Sequence, residues 1–289
     1  MLPSSPDSLL PIVLAAMSGQ APGRSRQLIE ALTRALHGFV RDHRVSEAEF
    51  EFALDYVVRL GQATNATKNE AVLVADLLGL SSLVALQNNA GAGDASDAAL
   101  LGPFWRAESP RLAWGASIAA PGTPGMPLDV HGEVVDAEGQ PVAAATVDVW
   151  QASPSGLYEN QDEGQPDMNL RGRFTTDDDG RFHFRSVRPA GYPVPTDGPG
   201  GELLRAQGRQ PYRPAHLHFM VSKAGYKVLV TQVFADDSEH LHSDPTFGAT
   251  ERLVGRFDVV PSGGGERARL AHRLTLLVGE TVFPKAPIP

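Results

Sequence analysis

The sequence predicts an α+β protein, with an N-terminal helical region followed by an antiparallel β-sandwich, on the basis of three observations. Between Ser25 and about Asn89, apolar residues recur at intervals of three and four, as on the buried face of a helix. A connector rich in Pro and Gly ends near residues 121–127 (PGTPGMP) and marks a change in composition. Beyond it, apolar residues alternate with a period of two between short turns, which is typical of sandwich strands. We place the helical domain at residues 1–100 and the sandwich, with its connector, at residues 101–289.

The helical period falls into three segments, for which we predict three helices. They are residues 25–43 (SRQLIEALTRALHGFVRDH), residues 46–64 (SEAEFEFALDYVVRLGQAT) and residues 69–88 (NEAVLVADLLGLSSLVALQN). Ser46 and Glu49 have the spacing of a capping box, in which each side chain binds the backbone N–H of the other residue. This pair predicts the start of the second helix.

Six short segments of the second region read as strands bounded by Gly, Asp or Pro turns. They are LDVHGEVVD (128–136), ATVDVWQAS (145–153), GRFTTD (172–177), RFHFRSV (181–187), HLHFMVS (216–222) and KVLVTQVFA (227–235). Two long stretches between them, residues 153–172 and 189–214, look irregular. Because loops of that length in a compact domain tend to be functional, we expect a site there.

Composition excludes several classes of site. The 289 residues carry a formal net charge of -9, which disfavours nucleic-acid binding because that function calls for a basic face. The absence of cysteine excludes disulfides, iron–sulfur clusters, thiolate zinc sites and cysteine nucleophiles. The apolar segment LLPIVLAAM (9–17) follows Asp7 and is broken by Pro11, so it fits neither a signal peptide nor a membrane span. We therefore expect a cytoplasmic protein.

The segment RPAHLHFMV (213–221) places two histidines two residues apart. Side chains alternate between the faces of a strand, so His216 and His218 share one face while Leu217 and Phe219 share the other. For this pattern alone, a metal clamp and a half-buried strand with two hydrogen-bonded histidines are equally good interpretations.

Four of the five tyrosines fall in the same part of the chain, and two of them, Tyr158 and Tyr192, lie in the long irregular stretches. Taken singly, each is more typical of a ring packed on the core with a solvated hydroxyl. A phenol has an unperturbed pKa of about 10, so only a strong Lewis acid such as ferric iron deprotonates it at neutral pH. Two phenolates and two neutral imidazoles would lower the formal charge of Fe(III) to about +1.

The motifs SGLYEN, GYPVPTDGP, RPAHLHF and TQVFADD occur in the order found in the intradiol ring-cleavage dioxygenases. The chain resembles the catechol and hydroxyquinol 1,2-dioxygenases over its helical region, the LLGPFW segment and the whole β region. The resemblance implies one non-haem Fe(III) with Tyr158, Tyr192, His216 and His218 as its ligands. It also implies that Tyr192 and His218 are the axial pair, with Tyr158, His216 and a hydroxide in the equatorial plane.

By the same resemblance, a catechol binds through both oxygens and displaces Tyr192, which accepts a substrate proton as it leaves. Both atoms of O2 then enter a cis,cis-muconate product. Arg213 is expected to stabilise charge on the ring carbon, although it could instead satisfy a loop carboxylate. Gln232 matches the active-site glutamine of the family, although a strand glutamine could equally be a sheet-edge residue.

Two residues of the third predicted helix, Leu73 and Asp76, predict the substrate. Asp76 shares its apolar face with Leu73, and this L-x-x-D is similar to hydroxyquinol and some chlorocatechol dioxygenases, where it lines the pocket. A carboxylate there would accept a hydrogen bond from a third ring hydroxyl, unless helix rotation leaves Asp76 solvated at the rim. We therefore expect hydroxyquinol (1,2,4-trihydroxybenzene), with catechol or chlorocatechol as the alternative. Four residues match the family's other pocket stretch: Leu100, Leu101, Gly102 and Pro103.

Two other classes fit part of the pattern. A non-catalytic transthyretin-like β-sandwich module would explain the strands, and an Fe(II) cupin would use the H-x-H with Glu239, His240 or His242. Neither uses the two loop tyrosines. The remaining histidines, His272 among them, are expected to be structural. Since relatives dimerise through the helical region and often enclose a phospholipid there, the resemblance also implies a homodimer with a possible bound lipid.

Overall fold

The computed structural model describes residues 2–17, 23–65, 68–89, 96–263 and 265–287. Contacts divide the chain into two units, Met1–Arg59 and Leu60–Pro289. The fold class predicted above, helices followed by a β-sandwich, is confirmed. The domain boundary at residue 100 stays a prediction.

The first unit consists of helices α1 (Pro6–Ala16), α2 (Arg24–Asp42) and most of α3 (Glu47–Ala63). Helix α1 was not predicted; Ser5 caps it by accepting a hydrogen bond from the N–H of Ser8, and Pro6 occupies its first position. The predicted capping box of α3 is confirmed, since the N–H of Ser46 lies 2.8 Å from the Glu49 carboxylate. No described residue of these three helices is buried, so their apolar faces are open.

The third predicted helix is two helices, so that prediction was wrong. Helix α4 (Glu70–Leu77) ends at Leu78, and α5 (Leu80–Asn89) starts after Gly79, whose φ of 71° is left-handed. A glycine in this conformation ends a helix because it carries no Cβ. The axes of the two helices differ by 75°. Among the described residues, no single helix is long and apolar enough to cross a membrane, although this bent pair passes by length and composition.

Besides α4 and α5, the second unit contains helix α6 and the strands. In chain order these are β1 (Pro127–Asp136), β2 (Thr146–Trp150), β3 (Arg171–Thr175), β4 (Arg181–Val187), β5 (Tyr192–Pro193), α6 (Pro199–Ala206), β6 (Tyr212–Arg213), β7 (His216–Ser222), β8 (Leu229–Ala235), β9 (Val254–Gly255), β10 (Phe257–Ser262) and β11 (Gly265–Leu276). All six predicted strands are present. Strands β9 to β11 were not predicted from the sequence.

Two sheets form the sandwich, with strand orders β10-β11-β1-β4 and β3-β2-β7-β8-β9. Their inner faces share one apolar core, in which the ring centre of Phe184 in the first sheet lies 6.3 Å from that of Phe219 in the second. Most neighbours are antiparallel as predicted, but β1–β11 and β8–β9 are parallel. The sequence does not show these two pairs because a parallel neighbour is joined through a long connection rather than a local turn.

The two stretches that looked irregular contain short regular elements. Residues 189–214 include α6 and the two-residue strands β5 and β6, which pair Tyr192 with Arg213. In residues 153–172, a single 3-10 turn (Glu159–Gln161) follows Tyr158. Both loop tyrosines are therefore held by local backbone structure.

Candidate metal centre

The two histidines of β7 point away from the sandwich core and converge. Leu217 and Phe219 lie in the core, whereas the Nε2 atoms of His216 and His218 are 3.1 Å apart. The Nδ1 of His216 lies 2.7 Å from the carbonyl oxygen of Pro214. Because a carbonyl can only accept, Nδ1 carries the proton and Nε2 presents a lone pair.

Burial keeps both imidazoles neutral. Both side chains are almost fully buried, and desolvation lowers the pKa of His216 and of His218, with the nearby Arg213 charge lowering each further. Two neutral imidazole nitrogens this close suit a cation placed between them.

The two loop tyrosines meet at the same place. The phenol oxygens of Tyr158 and Tyr192 are 3.4 Å apart, and their rings are perpendicular. The Tyr192 ring centre lies 5.5 Å from that of His216, and the Tyr158 ring centre lies 6.5 Å from that of His218. Burial raises the pKa of Tyr158 well above its usual value, so this phenol ionises only when a strong Lewis acid stabilises the phenolate.

This donor set fits ferric iron. Two imidazole nitrogens and two phenol oxygens, all buried, form a hard and borderline set that can lower the charge of a trivalent cation. Across the described ranges, no group of three or more His, Cys, Asp or Glu side chains could hold a metal. A metal here therefore depends on the tyrosines, and the cupin-like set with Glu239 finds no support.

Flat packing surfaces fix the ligand rings. The indole of Trp150 stacks on His218 at 4.8 Å, and Phe104 stacks on Tyr158 at 4.4 Å. At Gly102, whose φ is 72°, an added Cβ would lie 3.3 Å from Cε1 of His218. The chain thus passes close to the imidazole only because residue 102 has no side chain.

Arg171 supports Tyr158 from behind, and sequence reasoning did not single it out. It is buried, donates from Nε to Glu159 at 2.7 Å and from Nη1 to the carbonyl oxygen of Phe104 at 2.5 Å. Its guanidinium lies 5.8 Å from the centre of the Tyr158 ring, within the range of a cation–π contact. No sequence signal identifies it, because both partners are set by tertiary contacts.

Arg213 lies beside the histidines and satisfies a loop carboxylate, as one interpretation expected, whereas its role in stabilising charge on the ring stays a prediction. Its Nη1 is 3.3 Å from Nε2 of His216, and it also satisfies a loop carboxylate, that of Asp244. Burial alone would lower the pKa of Arg213, but Asp244 raises it above its usual value. Burial would likewise raise the pKa of Asp244, but Arg213 lowers it to about 2. Arg213 is therefore a permanent buried cation.

Gln232 links Arg213 to the pocket wall. It accepts from Nη2 of Arg213 at 2.9 Å and donates to the carbonyl oxygen of Leu100 at 2.6 Å. It is fully buried on β8, at a position beyond the pairing with β9, which covers only Phe234 and Ala235. Its role in the site stays a prediction.

A cavity of about 430 Å³ opens beside Tyr192 and Arg213. Five of the predicted substrate residues line it: Leu73, Asp76, Leu100, Gly102 and Pro103. The sixth, Leu101, packs instead against the cluster of aromatic residues around Tyr158. Asp76 is buried rather than solvated at the rim, and burial raises the pKa of its carboxyl. Polar residues that sequence reasoning missed also line the cavity, namely Lys68, Glu70, Asn160 and Thr246.

Comparison with known proteins places the chain in a family. Residues 102–277 match the family model described as dioxygenase, and residues 23–95 match the one described as catechol dioxygenase N terminus. The hydroxyquinol 1,2-dioxygenase of Rhizobium sp. (strain MTP-10005) is 43% identical over 249 residues, which are 86% of this chain and 84% of the relative. The 6-chlorohydroxyquinol 1,2-dioxygenase of Cupriavidus pinatubonensis is 41% identical over 248 residues, covering 86% and 90% of the two chains.

A solved structure agrees. The hydroxyquinol 1,2-dioxygenase of Pseudomonas putida DLL-E4 superposes with a TM-score of 0.89 at 33% identity, covering 95% of this chain and 99% of that one. No transthyretin-like module is needed to explain the strands. The chain belongs to the intradiol ring-cleaving dioxygenases of the hydroxyquinol and catechol type.

Proposed function

We propose that this protein cleaves hydroxyquinol with O2 between its two adjacent hydroxyl-bearing carbons, giving 3-hydroxy-cis,cis-muconate or its tautomer maleylacetate. The observation that carries the proposal is the convergence of Tyr158, Tyr192, His216 and His218 beside a cavity that Tyr192 lines together with a buried Asp76. The identity to hydroxyquinol dioxygenases supports the same substrate. Catechol or a chlorocatechol is the alternative.

We propose one non-haem Fe(III) per chain, held by those two tyrosines and two histidines. When bound, the iron would supply a Lewis acid that makes the diol ring reactive toward O2. The side chains around it supply the proton transfer, the charge stabilisation and the contacts with the substrate.

Tyr192 is the tyrosine suited to act as the base. It lines the cavity and Tyr158 does not, so its phenolate oxygen can reach a substrate hydroxyl and accept its proton. Tyr158 is held by the Phe104 stack and by Arg171, and is suited to stay in place. Arg213, a fixed cation on the same cavity, stabilises negative charge as it develops on the ring.

The cavity walls suit a ring with one extra hydroxyl. Leu73, Leu100 and Pro103 offer apolar surface to the ring, while Asp76 offers an acceptor in a buried position. The buried Asp76 carboxyl has one hydrogen-bond partner in Ser81, and the third hydroxyl of hydroxyquinol would add a second donor. A site built around such a bond discriminates strongly against analogues that lack it.

The substrate proposal is tested with Asp76→Leu. We expect kcat/KM for hydroxyquinol to fall by about 100-fold and kcat/KM for catechol by only a few fold, because catechol has no third hydroxyl to lose. For Asp76→Asn, which keeps an acceptor oxygen, kcat/KM for hydroxyquinol should lie between the values of the parent enzyme and of Asp76→Leu. Equal losses for both substrates would contradict the role of Asp76.

The metal proposal is tested by iron analysis and visible absorption. Tyrosinate bound to Fe(III) absorbs visible light, so the iron-loaded protein should be coloured, and its band should shift when the diol is added without O2. Tyr158→Phe and His216→Ala should lose colour or iron, whereas Tyr212→Phe, a tyrosine outside the donor set, should lose neither. A colourless protein with a full complement of iron would refute the four-residue ligand set.

We further propose a homodimer that forms through the helical region, with a phospholipid bound there. The support is the run of exposed apolar side chains on α2 and α3, such as Leu32, Phe39 and Val57. Lipid extraction followed by mass spectrometry tests the second part. The cytoplasmic location expected from the sequence stays a prediction that cell fractionation would test.

A further inference from the structure

We propose that Asp244 is the positioning residue of Arg213, holding the guanidinium so that its Nη1 edge faces the reacting ring. This inference rests on the role proposed above for Arg213. Asp244 does not line the substrate cavity itself, so it acts through Arg213 and not by touching the substrate.

The two side chains form a two-point ion pair. The Nε of Arg213 donates to one oxygen of Asp244 at 3.1 Å, and Nη2 donates to the other at 3.2 Å. Both side chains are at most 5% exposed, so solvent does not screen the pair. A two-point contact fixes the plane of a guanidinium as well as its distance.

Counting donors shows which edge of Arg213 is left for chemistry. A guanidinium has five N–H donors: one on Nε and two on each Nη. Asp244 takes the Nε donor and one from Nη2, and Gln232 takes the other Nη2 donor at 2.9 Å. Of the two Nη1 donors, one faces Nε2 of His216 at 3.3 Å and the other remains for a substrate, since Arg213 lines the cavity. Asp244 thereby selects the edge that a substrate meets.

Asp244 is itself held rigidly by the loop that it begins. Its carboxylate accepts from the N–H and the hydroxyl of Thr246, at 3.2 and 3.0 Å, and from the N–H of Gly248 at 3.1 Å. The carbonyl oxygen of Thr246 in turn accepts from the hydroxyl of Ser82 at 2.9 Å, which ties the loop to α5. A carboxylate with this many fixed donors can serve as an anchor.

Gly248 offers a way to disturb Arg213 without removing any charge. A Cβ at residue 248 would lie 3.0 Å from Nη2 of Arg213 and 3.3 Å from the Asp244 carboxylate, and its φ is not in the left-handed region. Gly248→Ala should therefore displace the guanidinium while leaving the ion pair's charges intact.

The experiment compares Asp244→Asn, Gly248→Ala, Arg213→Gln and the double variant Arg213→Gln/Asp244→Asn in the iron-loaded enzyme. We expect Asp244→Asn and Gly248→Ala each to lower kcat by about 10- to 100-fold with little change in KM, since small misplacements of a reacting group cost that much. Iron content and the visible band of the resting enzyme should not change. Asp237→Asn, which breaks a surface ion pair with Arg188, and Gly263→Ala, where an added Cβ meets open space, are the matched controls and should keep full activity.

The double variant separates positioning from independent action. If Asp244 acts through Arg213, the double variant is no slower than Arg213→Gln alone, within about twofold. Losses that multiply would overturn the inference, as would normal kcat in both Asp244→Asn and Gly248→Ala beside an impaired Arg213→Gln. If Arg213→Gln itself keeps full activity, the proposed role of Arg213 fails first, and the inference fails with it. Should Asp244→Asn not fold, Gly248→Ala alone decides.

Discussion

At the level of single residues, burial determines what the ionisable groups around the centre can do. Desolvation keeps His216 and His218 neutral and Tyr158 protonated, so the phenol ionises only beside a cation strong enough to stabilise its phenolate. Arg213 remains charged in the same environment because it is paired with the buried Asp244 carboxylate, and Arg171 is paired with the buried Glu159 carboxylate. The site thus combines neutral ligands with fixed positive charges behind them.

Arg171 provides a stability prediction. Replacing it by Met should lower the free energy of unfolding by about 3–5 kcal/mol, because the Glu159 carboxylate stays buried and loses its main partner. Urea denaturation measures this loss. Arg181→Met, which breaks an exposed pair with Asp179, is the control and should cost little. Equal losses in the two variants would contradict the importance given to Arg171.

His272 provides a pH prediction. Burial lowers its pKa, so the folded protein prefers the neutral ring, whereas the unfolded chain binds a proton below about pH 6.5. The stability it contributes is therefore complete above that pH and is lost as the pH falls toward the lowered pKa. We expect His272→Gln to flatten the fall in the free energy of unfolding between about pH 7.5 and pH 5. An unchanged slope in that range would argue that His272 is not the group responsible.

At the level of elements, the break between α4 and α5 shapes one wall of the cavity. Helix α4 carries Leu73 and Asp76 into the cavity, and the turn at Gly79 then sends α5 away at 75°. Phe247, from the loop that Asp244 begins, covers the turn and itself has a φ of 53°, which is rare for a bulky residue. The guanidinium of Arg209 lies 4.5 Å from the Phe247 ring centre and donates to the carbonyl oxygen of Leu77. These contacts join α4 to the loop that Asp244 begins.

Gly79→Ala tests this arrangement. The alanine would have to adopt a left-handed φ, and its Cβ would lie 3.3 Å from the Phe247 ring. We therefore expect a loss of about 1–2 kcal/mol in the free energy of unfolding and a higher KM for hydroxyquinol. Gly139→Ala is a matched control, since its φ is 77° but an added Cβ meets nothing within 4 Å. The difference between the two variants isolates the contact with Phe247. A KM that rises equally in both would show that the turn does not position the wall.

At the level of the whole molecule, the helices of the first unit expose many large apolar side chains. Leu32 is 59% exposed and Phe39 58%, and no described residue of α1, α2 or α3 is buried. Such faces are stable in water only when something covers them. A second copy of the chain is the occupant proposed above.

Leu32→Glu tests the dimer. Placing a charge on this face should shift sedimentation from dimer to monomer at micromolar concentration, because an unpaired carboxylate is costly to bury. Val259→Glu, at a 45% exposed apolar position on β10, introduces the same charge outside the helical region and should stay dimeric. If Leu32→Glu sediments as a dimer, with the same sedimentation coefficient as the parent protein, an interface on this face would be contradicted.

The sequence by itself determined that helices precede a β-sandwich, which face His216 and His218 share, and, through four ordered motifs, the two tyrosines and the family. These are local properties, since a strand alternates its side chains whatever it packs against. Only the tertiary structure decided that Asp244 holds Arg213, that Arg171 supports Tyr158, and that a predicted helix breaks at Gly79. Those contacts join residues far apart in the chain or depend on what covers a turn. No periodicity encodes them, because each is selected by burial and by the partner that burial brings within reach.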